Sequence, residues 1–246
     1  MTDARSARLQ RRLADLAGSL AGALGRHGLL LLTLAAGLVP ALLLALAAGG
    51  VYEAVAEEDG VAGLDQPVLE AAIAVRSPGL DTAVTWLTNL GGTLGLPLLA
   101  AAAVLLLCRW QRSFTPLFLT VAAAAGSLLM TVTGKALVGR SRPPLDDAVP
   151  PYEYSASFPS GHSLNTVVIA GTIAYLLFLY LGARRARIFA VLAAAVFALA
   201  VGLSRVYLGH HWLTDVLVAW SLGLAWLAIL ITVHRLLHTA RSLRTV

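Results

Sequence analysis

Two adjacent histidines, an arginine and an aspartate fall within twelve residues of a chain in which only 13% of residues are charged: "SRVYLGHHWLTD", residues 204–215. Histidine beside a carboxylate is a pairing that makes a nucleophile or a base. The carboxylate fixes one ring nitrogen as N–H and leaves the lone pair of the other free. In a helix, residues four apart are rotated by about 40° and residues five apart by about 140°. Asp215 is four residues from His211 and five from His210. A helical reading therefore pairs Asp215 with the Nδ1–H of His211. It turns His210 toward the membrane interface or onto the preceding turn.

A second group of residues could hold an anion. Lys135 is the one lysine among 18 basic residues, Arg142 follows seven positions later, and Arg205 opens the histidine stretch. Each alone reads as a snorkelling anchor at a helix end. Three opening onto one face point to an anion site. "PSGHS", residues 159–163, adds a helix start to that face: Ser160 is a good N-cap and Gly161 lets a ligand approach the backbone. Free N–H groups at such a terminus favour phosphate. His162 stands beside them.

The elements that must position these residues are membrane spans. The chain has 246 residues, is 58% hydrophobic and 13% charged, with mean hydropathy +0.79; soluble domains carry about twice that charge fraction. Charge-free gaps run from Arg26 to Glu53, Asp81 to Arg109, Arg112 to Lys135, Glu153 to Arg184, Arg187 to Arg205 and Asp215 to Arg235. Each contains or approaches the roughly 20 apolar residues that cross a bilayer as a helix. This predicts an all-α polytopic membrane protein, a bundle of six transmembrane helices. Arginines cluster before the first span and after the second, fourth and sixth, which places both termini in the cytoplasm, with anionic lipid at the inner face. Net charge +5 needs no nucleic acid to explain it. Cys108, the one cysteine, excludes an intramolecular disulfide and supplies no metal cluster.

Residues 1–26 read as a basic cytoplasmic segment, with Leu9, Leu13, Leu16 and Leu20 on one stripe, suited to the inner leaflet or to a disordered tail. Residues 27–246 form the six-span domain, with the reactive motifs within 135–215. Residues 53–81 are an outer connection with Pro67 and Pro78 as breakers and "VLEAAIAV" as a short surface helix. Residues 138–159 are a proline-rich irregular loop. Arg140 reads as a solvated loop arginine or a contact for a second phosphate.

Taken together, "KALVGRSRP" (135–143), "PSGH" (159–162) and "SRVYLGHHWLTD" resemble the three-part signature of the type 2 phosphatidic acid phosphatase family, in order and in spacing. The resemblance covers about residues 120–220. It implies an integral membrane phosphatase in which His211 attacks phosphorus and forms a phosphohistidine and Asp215 orients it. His162 protonates the leaving oxygen, and Lys135, Arg142, Arg205, Ser160 and Gly161 surround the phosphoryl group. No cofactor and no obligate protein partner are implied, since fixed cations take the place of Mg²⁺. The site is expected at the outer face of the plasma membrane, acting on a membrane lipid bearing phosphate or diphosphate. An undecaprenyl or other polyprenyl diphosphate is favoured, with phosphatidylglycerophosphate or phosphatidic acid as alternatives. A lipid phosphotransferase would use the same residues. A vanadate-dependent haloperoxidase shares the cradle but resembles soluble proteins. A transporter or lipid receptor would set its charges near the midplane.

Overall fold

A computed structural model describes the backbone of residues 2–242 and the side chains of residues 28 and 30–239. All regular structure among the described residues is helical: α1 (Thr2–Glu57), α2 (Asp65–Ala74), α3 (Pro78–Leu90), α4 (Gly95–Gln111), α5 (Thr115–Val138), α6 (Gly161–Tyr180), α7 (Arg184–Tyr207) and α8 (Leu213–Ser242). Stretches of α1, α5, α6, α7 and α8 are each long and apolar enough to cross a bilayer. The consecutive helices α3 and α4 qualify only as a pair, bent by 48°. The six expected spans are present on this count, the second of them broken.

The break has a local cause. Residues 91–95 read Gly-Gly-Thr-Leu-Gly, three glycines and a threonine in five positions, all poor helix formers. The expected breakers Pro67 and Pro78 instead begin helices: Pro67 lies in the first turn of α2 and Pro78 is the first residue of α3, where a missing N–H costs nothing. The surface helix expected over 68–75 is α2. The first helix runs without interruption through Arg26 into the first span. The leucine stripe expected on residues 9–20 lies outside the described side chains.

Lateral packing follows from the solvent being lipid. Leu42, Leu46, Leu98, Leu106, Phe118, Leu129 and Phe189 are exposed, as apolar side chains facing hydrocarbon need not be hidden. α6 is the most enclosed span, packed against α4, α5, α7 and α8, while α1 lies along α8 at the edge. The ends of α5, α6, α7 and α8 that carry the motifs converge, and the loop 139–160 folds over them. The main-chain N–H of Val149 donates to Leu208 O (2.9 Å) and that of Ser157 to Arg140 O (2.8 Å). Arg76, which stands apart in sequence, clamps this end: its guanidinium donates to Tyr207 O (2.9 Å) and to Asp147 O (2.8 Å).

Candidate active site

The turn between α7 and α8 is made by its own backbone. The N–H groups of His210 (3.0 Å) and His211 (3.2 Å) both donate to Arg205 O, closing the end of α7. Gly209 makes this possible with φ +70°, and a Cβ there would lie 2.2 Å from Asp147 O, so both the conformation and the close approach require glycine. His211 therefore precedes α8 instead of lying on it. The pairing with Asp215 nonetheless forms, Nδ1 to Oδ2 at 3.3 Å, for a different reason from helical stacking. Asp215 is the third residue of α8 and its carboxylate reaches back to the N–H of Trp212 (3.0 Å), the return half of a capping box. That return carries it to the imidazole two positions before the helix.

Ser157 from the loop completes the pair, its hydroxyl donating to Asp215 Oδ2 (2.5 Å) and lying 3.3 Å from His211 Nδ1. With Nδ1–H directed at these oxygens, the lone pair on Nε2 faces Arg142 Nη1 at 3.2 Å. His211 is 1% exposed and Asp215 0%. Burial lowers the His211 imidazole to about 4 against the opposing pull of Asp215, so the ring is neutral at neutral pH and Nε2 is available. His210 is also buried. Its main-chain N–H closes α7, as expected of a cap, but its ring turns inward and donates from Nε2 to Val149 O (2.7 Å), away from the interface and from Asp215. Burial, followed by the charge of Arg205, lowers it also to about 4.

The three expected cations come together, Lys135 and Arg142 sharing Ser155, Arg142 and Arg205 sharing Glu153, with Arg142 against the His211 ring. Arg142 donates to His210 O (2.5 Å), Ser155 O (2.7 Å) and Ser155 Oγ (3.1 Å). Lys135 donates to Ser155 Oγ (3.2 Å) and Ala156 O. Arg205, 1% exposed, donates to Thr88 Oγ1 (3.2 Å) from α3. Its Nε has no hydrogen-bond partner among the described residues, an unmet donor of the kind a bound oxyanion satisfies. Ser160 caps α6 as its sequence predicts, accepting from Ser163 N, and is fully buried. Gly161 opens that helix, where the first N–H groups have no intrahelical acceptor; a Cβ on it would press Thr131 at 3.1 Å. His162 reaches toward the α3–α4 break: a Cβ at Gly92 would stand 3.2 Å from its Nε2.

Three further residues, two of them carboxylates that the sequence does not single out, lie at this site. Glu153 bridges Arg142 (2.9 Å) and Arg205. Burial alone would raise its carboxyl, but Arg205 and then Arg142 hold it down at about 2. Asp65, from α2, and Arg140 form an ion pair at 2.7 Å, and Arg140 also pairs with Asp215 at 2.7 Å. Arg140 is thus neither solvated nor open to a second phosphate. Its spacing from the reactive residues gave no hint of this, because both carboxylates come from distant segments.

A carboxylate held between two guanidiniums, one of them 3.2 Å from a buried imidazole, makes this a cage that fits an oxyanion. Residues 115–238, half of the chain, match the PAP2 superfamily. The chain belongs to that superfamily and is a membrane-embedded, multi-pass lipid phosphatase. It is 34% identical over 168 residues to phosphatidylglycerophosphatase B of Bacillus subtilis (strain 168), an alignment covering 68% of this chain and 81% of that protein. It superposes on the crystal structure of a transmembrane PAP2-type phosphatidylglycerolphosphate phosphatase from Bacillus subtilis with a TM-score of 0.70 and 28% identity, over 82% of this chain and 96% of that one. Aquifex aeolicus LpxE shares the fold, with a TM-score of 0.52 and 21% identity over 68% of this chain and 94% of that one.

Proposed function

We propose that the chain hydrolyses the phosphomonoester of a glycerophospholipid of the phosphatidylglycerophosphate type, through a phosphohistidine on His211. The observation that carries the mechanism is Glu153. Its carboxylate spans Arg142 and Arg205, Arg142 itself stands 3.2 Å from His211 Nε2, and an equatorial pair of phosphoryl oxygens would span the two arginines in the same way. In the first step Nε2 attacks phosphorus in line, the N–P bond forms, and the P–O bond to the lipid breaks. His162 gives its proton to the departing oxygen. In the second step His162 takes a proton from water, which attacks phosphorus and releases inorganic phosphate and neutral His211. Arg142, Arg205, Lys135 and the Gly161 N–H neutralise the charge on the transferring group, which is most of what phosphoryl transfer asks of a protein. Asp215 stabilises the positive ring of the intermediate.

A monoester is preferred to the polyprenyl diphosphate that an outward-facing site first brings to mind. The extra cation a second phosphate would meet, Arg140, is engaged by Asp65 and Asp215. The names of the Bacillus relatives favour the same substrate class. The asymmetry of the arginines along the sequence supports reading the site as facing outward from the plasma membrane, with residues 1–26 at the inner leaflet. The cage needs no divalent metal: its cations repel one, and its carboxylates are paired with arginines.

The test is phosphate release from a panel of defined lipids in detergent, with and without EDTA. Phosphatidylglycerophosphate should exceed polyprenyl diphosphate by about tenfold or more in kcat/KM, equivalent to about 1.4 kcal/mol. Activity should survive EDTA, and vanadate should inhibit. A preference for the diphosphate would overturn the substrate assignment. Loss in EDTA reversed by Mg²⁺ would overturn the mechanism.

A further inference from the structure

Arg140 sits behind the reactive pair. Its Nη1 donates to Asp215 Oδ1 (2.7 Å) and Thr214 Oγ1 (2.8 Å), its Nη2 to Asp65 Oδ2 (2.7 Å), and its guanidinium lies 5.6 Å from the centre of the Trp212 ring. Asp65, also buried, accepts in addition from Thr214 N (2.9 Å) and Thr214 Oγ1 (2.6 Å). A carboxylate from the outer connection thus caps the first turn of α8. Asp215 is left with no slack. Arg140 holds Oδ1, while Oδ2 takes Ser157, the Trp212 N–H and His211.

We propose that Arg140, braced by Asp65, is a positioning residue for the phosphatase reaction: it locks the Asp215 carboxylate in the orientation that presents His211, and it sets the net negative charge that His211 faces. This rests on the reading of His211 as the nucleophile. Asp65, Arg140 and Asp215 together carry two negative charges and one positive, so one negative charge remains beside the imidazole. Removing the positive charge at 140 leaves two; removing the negative charge at 65 leaves none. The other groups facing His211 are Arg142 and Glu153 from the loop, Arg205 from α7 and His162 from α6. None is altered by these changes. More negative charge favours the protonated ring, which cannot attack. Lysine at 140 would keep the charge but has no planar fork to reach both carboxylates and Thr214 at once.

The experiment uses the full-length enzyme in detergent with a lipid phosphomonoester, comparing Arg140→Lys, Arg140→Gln and Asp65→Asn. It measures kcat and KM across pH and phosphohistidine by rapid quench. Both Arg140 variants should lose about ten- to a hundredfold in kcat, the scale of a hydrogen bond to a charged group. KM should change little, because Arg140 touches no phosphoryl oxygen. The acidic limb of kcat/KM should rise by about one pH unit in Arg140→Gln, stay in place in Arg140→Lys, and fall in Asp65→Asn. A limb that stays fixed in Arg140→Gln, or moves equally in both Arg140 variants, would overturn the proposal. Should the Arg140 variants not fold, the limb of Asp65→Asn decides: lower supports it, unchanged overturns it. Failure of all three to fold would leave the trio a purely structural role and overturn it too. Wild-type enzyme that turns over without phosphohistidine would overturn instead the assignment of His211.

Discussion

His210 and His211 are adjacent in sequence, both buried and both neutral at neutral pH, yet the proposed mechanism uses only one. The difference is one of hydrogen-bond partner: His210 donates to a backbone carbonyl, His211 to a carboxylate that can stabilise a positive ring. His211→Ala should therefore abolish both phosphohistidine and turnover. His210→Ala removes the bond to Val149 O and a buried ring, at a cost of about 1–3 kcal/mol in stability, but leaves the carbonyl that holds Arg142. It should still form phosphohistidine in a rapid-quench assay, and equal loss in the two variants would make the assignment untenable. Glu153 belongs to the same scale. Held at about 2 by its arginines, it stays ionised wherever the enzyme works, so it opposes any incoming anion for Arg142 and Arg205. Glu153→Gln should lower the inhibition constant of vanadate by about tenfold, the effect of one charge-assisted contact. Weaker inhibition would mean that Glu153 holds the cage open instead of competing for it.

At the scale of elements, the segment that sequence reasoning handled least well is the second span. A charge-free gap between Asp81 and Arg109 is indistinguishable by hydropathy from a straight helix, and glycines are common inside membrane spans. What marks the break is three glycines in five residues and their neighbours in space: Gly92 faces His162 and Gly91 faces Val201 and Thr166, partners known only once the helices are packed. The other spans, the loop over the site and the convergence of the three motifs were legible, because charge is so scarce that each charged residue marks a boundary. The His211–Asp215 pair was also legible, though by a spacing rule that does not apply to a residue outside the helix; the capping bond from Trp212 N to Asp215, three residues on, brings His211 to the same carboxylate. Asp65, Arg140 and Glu153 were not legible, since a long-range ion pair leaves no periodicity. The break carries its own prediction. Gly92→Ala would set a methyl group 3.2 Å from both His162 Nε2 and Asn89 O, tighter than ordinary contact. Thermal unfolding in detergent should shift by an amount equivalent to about 1–3 kcal/mol at most, whereas kcat should fall by more, and most for substrates with poor leaving groups. An unchanged kcat would separate the α3–α4 break from the work of His162.

At the scale of the whole molecule, the charges divide the protein into two ends. Arg109 and Arg112 end α4, Arg184, Arg185 and Arg187 begin α7, and Arg235 lies near the end of α8. The site lies at the opposite ends of these spans, with the acidic loop residues Asp146 and Asp147 beside it. Besides Arg76, four basic residues on that side, Lys135, Arg140, Arg142 and Arg205, would blur a count of charges. Their partners explain them: the two loop arginines and Arg205 pair with Asp65, Asp215 and Glu153. They carry little of the free positive charge that orients a span during insertion. Discounting them leaves a clear asymmetry, arginine on the far side and carboxylate on the site's side, which under the positive-inside rule supports the proposal of an outward-facing site. Two thiols test it. Cys108, half-buried near the end of α4, should resist a membrane-impermeant thiol reagent in intact cells and become reactive only after permeabilisation. Cysteine introduced at the exposed position Asp146, in a Cys108→Ser background, should be labelled without permeabilisation. The reverse pattern would put the site in the cytoplasm, and the lipid phosphate it meets would then have to come from the inner leaflet, where phospholipid-forming reactions supply it directly.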